Sequence, residues 1–99
     1  MITIRVKLAI QPDRIEDFHQ AIETDISDAH NFEGCLHYQY YADRNASNSF
    51  LLYQEWESRS AFDAFYQSDT FKQIGSVLFP MIEGKPESIY IDGTRFEIG

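Results

Sequence analysis

FLLYQEWESRSAFDAFYQSDTF, residues Phe50 to Phe71, joins a β-strand pattern to a helical one with a tryptophan between them. Phe50 to Trp56 is dominated by aromatic and aliphatic residues that favour extended backbone. Phe50, Leu52, Gln54 and Trp56 share one face of such a strand, and Leu51, Tyr53 and Glu55 share the other. Bulk on both faces predicts cover on both: helices of the same chain on one side and a partner on the other. The strand stops at Glu57-Ser58, and the Ser58 hydroxyl is placed to cap a helix. Ala61, Phe62, Phe65 and Tyr66 follow at helical spacing and form one aromatic stripe. That stripe reads first as core packing and second as the wall of a ligand pocket between helix and sheet.

Upstream, Ile2, Ile4, Val6, Leu8 and Ile10 alternate with Thr3, Arg5, Lys7 and Ala9, which predicts a half-buried strand over 2–10. Pro12 or Asp13 opens a helix running to about residue 30. Its apolar face carries Ile15, Phe18, Ile22, Ile26 and Ala29, with acids between them. Gly34 provides a turn. A second strand follows over 36–42, with Tyr38 and Tyr40 on one face and His37, Gln39 and Tyr41 on the other. The polar run Asp43 to Ser49 makes strands two and three a hairpin.

Downstream, Ser68 or Asp69 caps a further helix carrying Phe71, Ile74, Val77, Leu78 and Ile82. Pro80 bends its end, and Gly84-Lys85-Pro86 terminates it. Ser88 to Asp92 is the fourth strand, and Thr94 to Ile98 a short extra strand or a tail. The order β-α-β-β-α-β is the ferredoxin-like α+β arrangement, a four-stranded antiparallel sheet with helices on one face. One domain over 1–99 is expected. Helices cover one face only, so the other is expected to be closed by a symmetric homodimer packed sheet to sheet.

Aromatic residues make up 15% of the chain, enough for a small core plus an interface or apolar pocket. The net charge of −8 and the scattered Lys and Arg residues argue against binding to nucleic acid or anionic membrane. No apolar run is long enough to span a bilayer, and a cytoplasmic location is expected. Cys35 is the only cysteine, which excludes an internal disulfide. His19, His30 and His37 lack metal-ligand spacing, and no glycine-rich phosphate loop is present, so neither a metal nor a cofactor is expected.

Gly34-Cys35-Leu36 before a strand, Phe50-x-x-Tyr53-x-Glu55-Trp56-Glu57-Ser58, Ala61, Phe71 and Gly84-Lys85-Pro86 together resemble the antibiotic biosynthesis monooxygenase domain. The resemblance extends from Ile2 to Tyr90. It implies a dimeric α+β barrel with a pocket between sheet and helices in each protomer. It also implies an oxygenase that works on electron-rich aromatic, phenolic or quinol substrates without metal or flavin. Many relatives carry two histidines after the tryptophan, and at those spacings this chain has Phe65 and Thr70. Histidine-based haem ligation or proton transfer is therefore not carried over.

The candidate catalytic residues are Trp56, Tyr53 and His37. The candidate substrate-binding residues are His19, Tyr38, Phe62, Phe65, Tyr66 and Phe71. Alternation sends Tyr53 and Trp56 to opposite sheet faces, so both line one pocket only if a bulge intervenes. Trp56 reads equally as an anchor of sheet–helix packing. The alternatives to an oxygenase are a non-catalytic dimeric binder of small aromatic molecules, and an isomerase or lyase on a small carbonyl compound.

Overall fold

The computed structural model describes residues 1–98. Its elements are β1 (Ile2–Ile10), a 3-10 turn (Pro12–Arg14), α1 (Ile15–His30), β2 (Cys35–Ala42), β3 (Ser49–Trp56), α2 (Arg59–Tyr66), α3 (Asp69–Leu78), a second 3-10 turn (Phe79–Met81) and β4 (Ile82–Asp92). The four strands form one antiparallel sheet in the order β2-β3-β1-β4. This is the expected ferredoxin-like α+β fold, with the second helical segment broken into α2 and α3.

The alternation in β1 and β3 sorts residues as expected. Ile2, Ile4, Leu8 and Ile10 from β1, with Phe50, Leu52, Gln54 and Trp56 from β3, are buried beneath the helices. They meet Phe18, Ile22 and Ala29 of α1, Phe62 and Phe65 of α2, and Ile74 and Leu78 of α3 in one core. Register assigns Tyr38 and Tyr40 to the same side, opposite Gln54 and Leu52. The other face carries Arg5, Lys7, His37, Gln39, Tyr41, Leu51, Tyr53, Ile89 and Ile91, and no helix covers it.

The break between α2 and α3 has a local cause. Ser58 Oγ accepts from the Ala61 amide at 3.2 Å, and Ser68 Oγ accepts from the Phe71 amide at 3.1 Å. Each cap contributes about 1 kcal/mol and marks a new helix start.

Two expectations are corrected. Pro12 opens a 3-10 turn, and the α-helix itself begins at Ile15. Ile82 belongs to β4, and Gly84-Lys85-Pro86 lies inside that strand instead of ending a helix. Pairing runs Lys7 to Glu87 and then Ala9 to Glu83, so Gly84, Lys85 and Pro86 bulge opposite Leu8 alone. The edge position of β4 accommodates this, because a proline on an outer strand deprives no neighbour of a donor. Of the two readings of Thr94 to Ile98, the structure has the tail and not the strand, with Phe96 and Ile98 exposed.

Gly34 has φ +84°, and a Cβ there would lie 2.5 Å from the Ala61 Cβ. Its carbonyl accepts from the Glu57 amide at 2.8 Å, which ties the β2 entry to the end of β3. Gly84 has φ +73°, and a Cβ there would meet nothing within 4 Å. Gly34→Ala should therefore cost about 2–4 kcal/mol in urea unfolding, from backbone strain plus the clash. Gly84→Ala should cost only about 1 kcal/mol, from backbone strain alone. Equal losses would show that the approach of Ala61 is unimportant.

Candidate functional site

A cavity of about 420 Å³ lies between the sheet and the α2–α3 segment. Ile4, Val6, Leu8 and Leu52 form its floor, and Ile74, Gly75 and Leu78 of α3 close it from above. Tyr66, Phe79 and Tyr90 line it as well, at 50%, 68% and 58% exposure, and mark its mouth. The polar groups in the wall are Tyr38, Tyr40, Gln54 and Ser88. A mostly apolar cleft with few polar groups suits a flat organic ligand.

Of the candidates from sequence, Tyr38, Phe62, Tyr66 and Phe71 line this cavity. Trp56 and Phe65 do not. Both are fully buried and stacked on each other, with ring centroids 4.9 Å apart. The Trp56 indole N–H donates to Gln54 Oε1 at 2.9 Å, so its one polar atom is spent inside the core. His19 is exposed and lies edge-on to Phe50, away from the cavity.

His37 and Tyr53 are on the open sheet face. There the Tyr53 hydroxyl donates to Glu55 Oε2 at 2.5 Å, and that bond pushes the Tyr53 pKa up. His37 Nε2 lies 2.9 Å from the Tyr41 hydroxyl. Trp56 and Tyr53 thus occupy opposite faces. The β2–β3 register shift near Leu36 does not bring them together.

Three polar residues of the helix-facing side were not among the site candidates read from sequence. Gln54 alternates with Phe50, Leu52 and Trp56 and is 5% exposed. Tyr40 is buried, and its hydroxyl has no hydrogen-bond partner among the described residues. Asp25 sits on the buried side of α1 with Phe18, Ile22 and Ala29. It is 5% exposed, and its Oδ2 likewise has no partner among the described residues. Burial, and then the nearby Asp28 carboxylate, push its pKa up from 3.8 to about 6. The available signal was an acid falling on the apolar stripe of an amphipathic helix. Among the described residues, no three His, Cys, Asp or Glu side chains converge as a metal site, and no helix is long and apolar enough to cross a membrane.

A ferredoxin-like sheet with an apolar cavity under its helices defines a small α+β domain built around a pocket. The family model for antibiotic biosynthesis monooxygenase matches residues 1–75, and the chain belongs to that family. An uncharacterized protein of Synechocystis is 30% identical over 90 residues, which cover 91% of this chain and 60% of that protein. The chain therefore spans about 60% of the length of that curated relative.

Solved structures share the fold. A crystal structure of an antibiotic biosynthesis monooxygenase has a TM-score of 0.86 at 17% identity, covering 96% of this chain and all (100%) of that one. A conserved protein from Methanosarcina mazei has a TM-score of 0.88 at 22% identity, covering 94% and 92%. A protein of Mycobacterium tuberculosis has a TM-score of 0.85 at 14% identity, covering 96% of each.

The raised Asp25 pKa has a signed consequence. Below about 3.8 the carboxyl is neutral in both folded and unfolded states, and its burial carries no charge penalty. As pH rises through about 6 the folded state must ionise it, and that part of the stability is lost. Asp25→Asn should therefore gain about 1–3 kcal/mol at pH near 8 relative to its effect at pH near 4. Parallel stability–pH curves for the two proteins would contradict this.

Proposed function

We propose that this protein is a small cofactor-independent oxygenase, and that its cavity binds a flat phenolic or quinol-type substrate. The observation that carries the reading is the cavity itself: apolar walls around a space suited to a fused-ring molecule, with a few tyrosine and glutamine groups among them. Such a substrate supplies its own electrons to oxygen once it has lost a proton. The protein's part is to hold the ring, accept the proton and keep water out. Family membership supports the reaction class, and the aromatic wall supports the substrate class. The cavity residues Tyr38, Phe62, Tyr66 and Phe71 serve as substrate contacts. Trp56 acts as a packing anchor that presents Gln54.

The functional unit in this reading is a homodimer closed through the open sheet face. Leu51, Tyr41, Ile89 and Ile91 give that face its apolar surface. The Tyr53–Glu55 and His37–Tyr41 hydrogen bonds lower the cost of covering those side chains.

A second reading, a non-catalytic binder of aromatic molecules, is favoured by the Phe65 position. The residue where many relatives place a histidine is here a fully buried core ring.

Oxygen uptake with a panel of quinols and polycyclic phenols separates the two. Wild type should consume oxygen with at least one compound. Ser88→Trp, which places a large side chain in the cavity wall from an exposed strand position, should lower the rate about tenfold or more while remaining folded. Uptake unaffected by Ser88→Trp would move the site elsewhere, and ligand binding without uptake would leave the binder reading. In light scattering the wild type should run as a dimer, and Leu51→Glu should shift it towards monomer by placing an unpaired charge in the covered face. A monomeric wild type would remove the homodimer.

A further inference from the structure

Gln54 is the amide in an otherwise apolar or aromatic buried set on β3, between Leu52 and Trp56, and is 5% exposed. Its cross-strand neighbours are Ile4 on β1 and Tyr38 on β2. A primary amide carries an acceptor at one end and two donors at the other. Which end faces the cavity decides what it can recognise there.

Trp56 makes that choice. The indole N–H is a donor and never an acceptor. It donates to Gln54 Oε1 at 2.9 Å, so the amide oxygen is the end turned to Trp56 and the NH2 is the end left free. The ring that makes this bond is itself held. Trp56 is fully buried, stacked on Phe65 at 4.9 Å between ring centroids and met edge-on by Phe62 at 6.2 Å. The Gln54 NH2 has no hydrogen-bond partner among the described residues, yet it is not sealed in. The buried side-chain atoms without a partner there are Asp25 Oδ2 and the Tyr40 hydroxyl oxygen. An unpartnered nitrogen that is not sealed opens on empty space, and the space whose wall Gln54 forms is the cavity of about 420 Å³.

The other polar groups of that wall are less selective. The Tyr38, Tyr40 and Ser88 hydroxyls can each donate or accept, and no charged side chain lines the cavity among the described residues. The Gln54 NH2 can only donate.

We propose that Gln54 is a specificity-determining residue, whose NH2 group, held in place by Trp56, selects fused-ring ligands that present a carbonyl oxygen to it. This rests on the cavity being the ligand site. A ligand with a carbonyl at that point accepts from Nε2 and satisfies the free donor. A ligand with a methylene there covers the donor without replacing its lost water. Because the indole already fixes the amide, no side-chain freedom is lost when the carbonyl arrives. Gln54 touches the ligand, and Trp56 is a positioning residue that acts through it.

The test compares 1-tetralone with tetralin, the same bicyclic skeleton with the carbonyl replaced by a methylene, in equilibrium binding. The quantity read is the ratio of the two affinities. Gln54→Met keeps the length of the side chain and removes the donor. It should move the ratio about tenfold towards tetralin, through loss of 1-tetralone affinity alone. Trp56→Phe frees the amide to turn, and should move the ratio the same way while tetralin affinity holds. In wild type, the Gln54 side-chain NH2 proton resonances should shift to low field with 1-tetralone and not with tetralin.

A ratio unchanged by Gln54→Met, or NH2 resonances that ignore 1-tetralone while it binds, overturns the proposal and leaves the cavity as a ligand site. A ratio unchanged by Trp56→Phe overturns the positioning role of the indole. If neither probe binds folded wild type, the cavity reading fails and the role of Gln54 with it. The resonance measurement needs wild type only, and keeps the test decisive should either variant not fold.

Discussion

The stacking of Trp56 on Phe65, with the indole N–H bonded to Gln54, holds the other parts of this protein in relation to one another. Trp56 ends β3, Phe65 lies near the end of α2, and Gln54 lines the cavity. One flat contact therefore joins sheet to helix and holds a polar side chain in the cavity wall. With its Oε1 occupied by Trp56, Gln54 offers the cavity its NH2 group. The Gly34 turn braces the same corner from outside: only a residue without a Cβ allows Ala61 and the first turn of α2 to approach.

The two faces of the sheet solve different physical problems. On the helix side, apolar residues fill the core except where α2 and α3 stand away from β1 and β4, and that separation is the cavity. On the open side, tyrosine, histidine and glutamate bond to each other over short distances. That face mixes polar and apolar side chains, and no helix covers it. One strand, β3, carries both solutions on alternate residues.

Alternation made β1 and β3 legible because each has one face sealed by helices, so the buried set repeats every second residue. β4 was legible only in its last five residues. It is an outer strand, half-buried at just two positions (Ile82 and Pro86), and it leaves no apolar rhythm to read. Ile82 continued the spacing of Ile74 and Leu78 by coincidence, and so was assigned to the helix.

The candidate site divides in the same way. Phe62 and Tyr66 on α2 and Phe71 on α3 were legible because rings at helical spacing beside a sheet turn toward it. Asp25 was not, because Ile22–Asp25–Ala29 and Ile22–Ile26–Ala29 both satisfy helical spacing. Residue chemistry favoured Ile26, whereas in the fold Asp25 is the buried residue and Ile26 is half-buried. Trp56 and His37 attracted functional roles because of their type. Packing makes one a core ring, and alternation puts the other on the far face.

The bulge at Gly84-Lys85-Pro86 has a consequence for how the molecule behaves among its own copies. An outer strand with a regular ladder of free amides and carbonyls is a template onto which another chain can zip, and then another, without end. Three residues opposite one interrupt that ladder, a proline removes a donor, and a lysine sits between them. Growth along the plane of the sheet is thereby blocked on the β4 side. The same few residues that obscured β4 in the sequence thus guard this edge against open-ended strand addition.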